Sequence, residues 1–238
     1  FYSDSRMIGY EMKLDWHDIH RLLKAGFDVN IRSAFVKNEI QFGHIDRPTT
    51  RNNTLEKAKF EVCNHKWSDL SETNYGVALL NDCKYGMSCE RGDMRLTLHR
   101  GGVRPDTTGD EGTHYMRYAL LPHTGAFTAE SVVRPAYAFN YKPIVSSGEM
   151  SAPSLFSIDK ANIIAEAVKN AEDMDGAYVI RLYECERSTT ECTLTLEGAK
   201  RAFVSNMLEE ISGELPIKDG KVTLNFRPFE IKTILVKR

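Results

Sequence analysis

The chain has 238 residues, with 31 Lys and Arg against 33 Asp and Glu, a formal net charge of -2 and 42% hydrophobic residues. That is enough apolar material for a substantial core, as one large β-sandwich or two smaller units. No long Lys and Arg run supplies the clustered charge a phosphate backbone demands, and no stretch approaches the roughly 20 apolar residues of a membrane-spanning helix, so neither nucleic acid nor membrane is an expected partner. The start, Phe1-Tyr2-Ser3-Asp4-Ser5-Arg6, is polar and lacks the basic and apolar regions of a signal peptide. Without an initial Met, the chain reads as a piece of something longer. The five Cys form no C-x-x-C pair and no zinc spacing, so reduced thiols and a cytoplasmic location are expected.

In chain order, short runs with alternating apolar residues predict strands at Tyr10–Asp15, Lys24–Arg32, Lys37–Phe42, Lys59–Asn64, Gly76–Leu80, Met94–Leu98 and His114–Leu121. Further runs follow at Tyr178–Glu184, Cys192–Leu196 and Val222–Phe226. Alternation with period two buries one face of a strand, because successive side chains point to opposite sides. Turn signals separate the runs: Arg91-Gly92-Asp93, Pro105-Asp106, Asp175-Gly176 and Asp219-Gly220. Many strands divided by short turns predict an all-β sandwich rather than a doubly wound sheet. Asn162–Glu172 is rich in Ala, Glu and Lys and reads as helix by propensity alone. Lys142–Ser154 holds two Pro, one Gly and four Ser with no apolar period. It reads as a linker and divides the chain into a large sandwich, residues 1–145, and a smaller β-domain, residues 146–238.

The chemistry-bearing residues are sparse. His17 and His20 lie in a strand-like pattern with no third ligand and read as turn residues. His114 and His123 fall at opposite ends of one strand, too far apart to share a metal ion. The loop around Asp106, Asp110 and Glu111 lacks the order of an EF-hand and reads as solvated. No G-x-S-x-G elbow, P-loop or G-x-G-x-x-G is present. The densest unusual segment is Tyr75–Gly86, where an apolar strand runs straight into Asn81, Asp82, Cys83, Lys84 and Tyr85. Polar groups at the end of a rigid strand are well placed to meet a ligand. The bland alternative is a hairpin whose Asn and Asp side chains bond their own backbone. Cys83 reads as a buried, inert thiol.

Six stretches carry a resemblance to a known family: KLDWHDIHRLLKAGFDVNIRS from Lys13, EIQFGHIDRPTTRN from Glu39, FEVCNHKWSDLSETNYGVALLNDCKYG from Phe60, YALLPHTG from Tyr118, RLYE from Arg181 and NFRPFEIKTILV from Asn225. In this order they resemble the C-terminal β-domains of glycoside hydrolase family 38, the α-mannosidases, in its bacterial and cytosolic branch. The resemblance covers nearly the whole chain. It implies a large supersandwich, of the galactose-mutarotase-like kind, followed by a smaller C-terminal β-domain. It turns the Asn162–Val168 region into a strand and puts the RLYE and RPFEIKT strands in one unit. The chain departs from the family at His99-Arg100-Gly101-Gly102 and at Glu111-Gly112-Thr113, both expected to fall in loops.

The resemblance further implies a retaining α-mannosidase whose zinc and nucleophile belong to an N-terminal catalytic domain outside this chain. No catalytic or metal-binding residue is therefore assigned here. The expected partners are that catalytic domain, α-mannoside oligosaccharides and a second copy in a homo-oligomer. Asn81, Asp82 and Tyr85 are the candidate substrate-binding residues, at the rim of a sugar site. The alternative reading is an autonomous carbohydrate-binding or oligomerisation module, which needs a platform of exposed aromatics. Most of the aromatics here lie in apolar strand patterns and read as core.

Overall fold

The structure is a computed structural model that describes residues 5–148 and 154–238. It separates into two compact units, Phe1–Pro143 and Ile144–Arg238. Of the Lys142–Ser154 stretch, residues 149–153 lie outside the described residues.

The first unit runs through β1 (Ile8–Trp16), β2 (Leu22–Asp28), β3 (Phe35–Ile40), β4 (Gly43–Pro48), α1 (Thr54–Ala58) and β5 (Val62–Cys63). It continues with β6 (Trp67–Ser71), β7 (Tyr75–Asn81), β8 (Gly86–Glu90), β9 (Asp93–Arg100) and β10 (Gly112–Thr124). One sheet has the order β1-β10-β7-β6-β3-β4 and the other β2-β9-β8-β5, with all pairings antiparallel. Their inner faces close on one core. Val36, Leu70, Val77, Leu79 and Met116 come from the first sheet, and Met87, Met94, Leu96 and Leu98 from the second. The alternation read at Met94–Leu98 is this packing, since Met94, Leu96 and Leu98 all point inward.

The six-stranded sheet is buried on its outer face too. Ala78, Leu80 and Ala119 are fully buried on the side opposite the core. A π-helical turn, Ala129–Val133, and α2 (Arg134–Asn140) pack there and bury Ala129, Val132, Val133 and Ala136. Thr128 caps this segment through reciprocal hydrogen bonds with Ser131, and Pro135 sits in the first turn of α2, where its missing N–H costs nothing.

The outer face also holds a buried ion pair. His123 Nε2 lies 2.8 Å from Asp69 Oδ1, both side chains almost wholly enclosed. Burial works against the imidazolium, but the hydrogen bond and charge of Asp69 outweigh it and hold the His123 pKa above its usual value. A raised folded-state pKa adds stability that is complete below the unfolded value of about 6.5 and is lost as pH rises through the folded one. Thermal unfolding of the chain should therefore show a transition temperature that falls on going from about pH 6 to about pH 9, and His123→Gln should remove that dependence.

One expected strand is corrected. Lys59–Asn64 is extended only at Val62–Cys63, and the residues before it form α1. Asn53 caps this helix by accepting from the Glu56 amide at 2.9 Å, while the Glu56 carboxylate accepts from the Asn52 amide at 2.7 Å. These side-chain bonds hold α1, which ends just before the segment expected to be a strand.

The second unit contains β11 (Phe156–Ile158), β12 (Ile163–Asn170), β13 (Ala177–Glu184), β14 (Thr190–Leu196), β15 (Arg201–Ser205), β16 (Ile211–Leu215), β17 (Lys221–Phe226) and β18 (Ile231–Lys237). Sheets of order β11-β14-β17 and β12-β13-β18-β15-β16 enclose a core that includes Ile163, Ile180, Leu182, Leu194, Leu224, Phe226 and Ile234. The Ala-rich segment is strand β12, paired along β13 with a bulge between Ala165 and Ala167. Burial of Ile163 and Ile164 and the ladder to β13 override its helical propensity.

The RLYE and RPFE motifs meet at one side chain. Glu184, at the end of β13, is fully buried. Its carboxylate accepts from Asn162 Nδ2 (3.0 Å), the Glu186 amide (2.8 Å), the Ser188 amide (3.1 Å), Ser188 Oγ (3.3 Å) and the Phe229 amide (3.1 Å). The buried charge is thus solvated by the chain's own donors, most of them backbone N–H groups of two loops.

Candidate functional site

The turn between β7 and β8 holds the three residues singled out from sequence, and it divides them by role. Asn81 is fully buried. Its side-chain amide donates to the His65 carbonyl at 2.7 Å, and its Oδ1 accepts from the Lys84 amide at 2.7 Å. Its backbone N–H donates to the Lys66 carbonyl at 3.0 Å, and its backbone carbonyl accepts from Asn140 Nδ2 at 3.0 Å. Asn81 builds the turn from within, while its neighbours face outward.

Asp82 is half-buried against β10. Its Oδ2 accepts from Arg117 Nε at 2.9 Å, and its Oδ1 from the Arg117 amide at 3.1 Å. Its own N–H returns to the Arg117 carbonyl at 3.3 Å. The guanidinium also donates to the Phe139 carbonyl at 3.3 Å and lies 5.0 Å from the centre of the Phe139 ring. A carboxylate offers about four acceptor sites, so beyond Arg117 and the Cys83 thiol it keeps room for an incoming hydroxyl. Tyr85 is 52% exposed. Its ring stands 5.2 Å from that of His65, and its carbonyl anchors the Asn64 amide at 3.2 Å. Burial lowers the His65 pKa, aided by the Lys66 charge, which favours the neutral imidazole beside Tyr85.

Arg117 also lines a cleft of about 540 Å³ with Gly9, Tyr10, Ala138 and Phe139. A Cβ on Gly9 would meet nothing within 4 Å, so this wall of the cleft is open. The turn and the cleft together offer a carboxylate, a guanidinium and aromatic faces, the mixture that binds a polyhydroxylated ring.

The structure corrects the reading of Cys83. The residue is exposed, not buried. Partial burial, then the hydrogen bond and charge of Asp82, push its thiol up to about 11, so the side chain stays protonated although it is not enclosed.

Arg117 and Asn140, which complete this site, escape sequence reading. They lie 35 residues from Asp82 and 59 from Asn81, and no local pattern signals such pairings. The other histidines fall elsewhere. His17 Nε2 sits 3.1 Å from Asp15 Oδ1 on the surface, and His20 adopts a positive φ of 56°. His114 and His123 occupy the two ends of β10, and the ring of His114 lies 4.4 Å from that of His99. In the polar loop, Asp106 accepts from the Thr108 amide and hydroxyl, as an Asx turn does. Among the described residues, no three His, Cys, Asp or Glu side chains come together to hold a metal ion. Nor is any described helix long and apolar enough to cross a membrane.

Comparison with known proteins accounts for this two-unit architecture. The family described as "Glycosyl hydrolases family 38 C-terminal domain" matches residues 1–108, and "Glycosyl hydrolases family 38 C-terminal beta sandwich domain" matches residues 162–234. The chain belongs to glycosyl hydrolase family 38, as part of its C-terminal β-region. It is 37% identical to human "Alpha-mannosidase 2C1" over 238 residues, which cover 96% of this chain and 23% of the human protein. "Alpha-mannosidase G" of Dictyostelium discoideum is 39% identical, over 97% of this chain and 22% of that protein. The chain thus spans less than a quarter of the length of these relatives. An alpha-mannosidase structure from Enterococcus faecalis V583 shares the fold, with a TM-score of 0.81 at 18% identity, over 99% of this chain and 28% of that one.

Proposed function

We propose that this chain is the C-terminal β-sandwich part of a retaining, zinc-dependent α-mannosidase that hydrolyses terminal α-mannosides in the cytoplasm. The observation that carries this reading is the identity of 37% with a human alpha-mannosidase along 96% of the chain. Nucleophile and zinc are assigned to the catalytic domain outside it. The chain supports that domain, is silent alone, and lends the β7–β8 turn to the rim of the sugar site. Asn81 fixes the turn, Asp82 accepts from sugar hydroxyls, and Tyr85 offers a ring face. The arrangement of Asp82 supports this role, since Arg117 holds the carboxylate in place while its side chain stays 21% exposed. The same surface serves a homo-oligomer less well, because its charges are already paired within the chain.

The test is hydrolysis of an aryl α-mannoside by this chain and by its parent enzyme with zinc supplied. The chain alone is expected to be silent and the parent active. Asp82→Ala in the parent should lower kcat/KM by about tenfold or more, the worth of a hydrogen bond to a charged group. An unchanged kcat/KM would remove the turn from the sugar site. Turnover by the chain alone would overturn the placement of the catalytic groups.

A further inference from the structure

Away from the β7–β8 turn, a cleft of about 780 Å³ opens where β2 begins and β9 ends. Arg21, Arg100 and Arg104 line it. None of these three guanidinium groups has a hydrogen bond, ion pair or ring contact among the described residues. Elsewhere in the same unit Arg51, Arg95 and Arg117 each hold a carboxylate, and Arg47 a carbonyl. The one acid lining the cleft, Glu61, is already engaged by Lys24 and Thr97. The local charge is therefore positive and unspent.

The frame beneath these arginines is fixed. The His20 amide donates to the Gly101 carbonyl at 2.7 Å, and the Gly101 amide to the Arg21 carbonyl at 2.9 Å. A Cβ on Gly101 would fall within 3.0 Å of the Asp18 carbonyl and of Trp16 Nε1, so glycine lets the two strand ends close on each other. Leu22 and Phe60, 52% and 61% exposed, line the same cleft and give it an apolar flank.

We propose that this cleft binds a phosphate ester, with Arg21, Arg100 and Arg104 holding the phosphate and Leu22 and Phe60 flanking the body that carries it. A phosphate dianion presents several acceptor oxygens to guanidinium forks, which match it in charge and geometry. The apolar flank calls for an ester rather than the bare ion. The cleft shares no residue with the sugar-rim turn, so the two assignments stand or fall separately.

Calorimetric titration of the 238-residue chain with glucose 6-phosphate, inorganic phosphate and glucose tests the assignment. Glucose 6-phosphate should bind more tightly than either of the others, and more weakly as salt rises. Arg21→Gln, Arg100→Gln and Arg104→Gln should each weaken it about tenfold, the loss of a charge-assisted hydrogen bond. Arg32→Gln, at a separate cleft that Arg91 also lines, should leave it unchanged. Should a variant misfold, the arginine side-chain NMR signals of the unaltered chain give the second readout, with those of Arg21, Arg100 and Arg104 expected to shift on titration. No binding of any phosphate, or an equal loss in Arg32→Gln, would overturn the proposal.

Discussion

Glu184→Ala should destabilise the C-terminal unit by about 3–5 kcal/mol, because several part-buried donors lose one shared, buried charged acceptor at once. The carboxylate collects bonds from Asn162, from the Glu186 and Ser188 amides, and from the Phe229 amide across the unit. Alanine removes the acceptor and leaves those part-buried N–H groups without it, and each unsatisfied donor costs about 1–3 kcal/mol where water cannot reach it. Partial relaxation keeps the total below the plain sum. Glu184→Gln retains one carbonyl acceptor but points an amide donor at other donors, so it should cost less than alanine yet remain clearly destabilising. Denaturant unfolding followed on the second unit measures both. Glu191→Ala, at an exposed position on β14, is the control and should stay within about 0.5 kcal/mol. A Glu184→Ala chain as stable as that control would show that the buried carboxylate is dispensable.

Gly76→Ala should cost the first unit about 3 kcal/mol or more, through overpacking and loss of a buried ion pair. Gly76 lies in β7 opposite His123 of β10. A Cβ there would fall within 3.0 Å of both Cε1 and Nε2 of the His123 ring and of the Ser71 Cβ. The imidazole is held by Asp69, which also accepts from Ser71 Oγ at 2.9 Å, so it cannot swing away without leaving a buried carboxylate short of its partner. The strain here is steric, since Gly76 has no positive φ. Gly9→Ala is the matched comparison: it is also a strand glycine of the same sheet, but with open space around the Cβ, and it should be close to neutral. Equal melting temperatures for the two variants would contradict the packing described around His123.

Much of this architecture was legible because period-two alternation reports burial directly. Met94–Leu98, Cys192–Leu196 and Val222–Phe226 alternate in this way, and all three form the inner faces of sandwiches. Two kinds of element escaped. The first is the short helix α1, set by the Asn53 and Glu56 side chains just before the expected Lys59–Asn64 strand, in a stretch with no apolar period to announce it. The second is the helical segment after Thr128, whose apolar residues Val132, Val133 and Ala136 cover the outer face of a sheet. The candidate site was legible as a location and not as a set of roles. Sequence placed polar groups at the end of an apolar strand. It had no means to show that Asn81 turns inward while Asp82 engages Arg117, because those partners come from β10 and α2.

The way Asn81 is tied has a bearing on motion. Its side chain joins the chain before β6 to the Lys84 amide, and its carbonyl joins β7 to α2 through Asn140. An exposed turn ordinarily samples many shapes on fast timescales, independently of the sheet beneath it. Here, releasing the turn means breaking bonds that also close the outer layer of the sandwich. The turn is therefore coupled to the cooperative opening of that layer, and whatever Tyr85 and Asp82 meet, they meet it with the conformational entropy of their backbone already surrendered during folding.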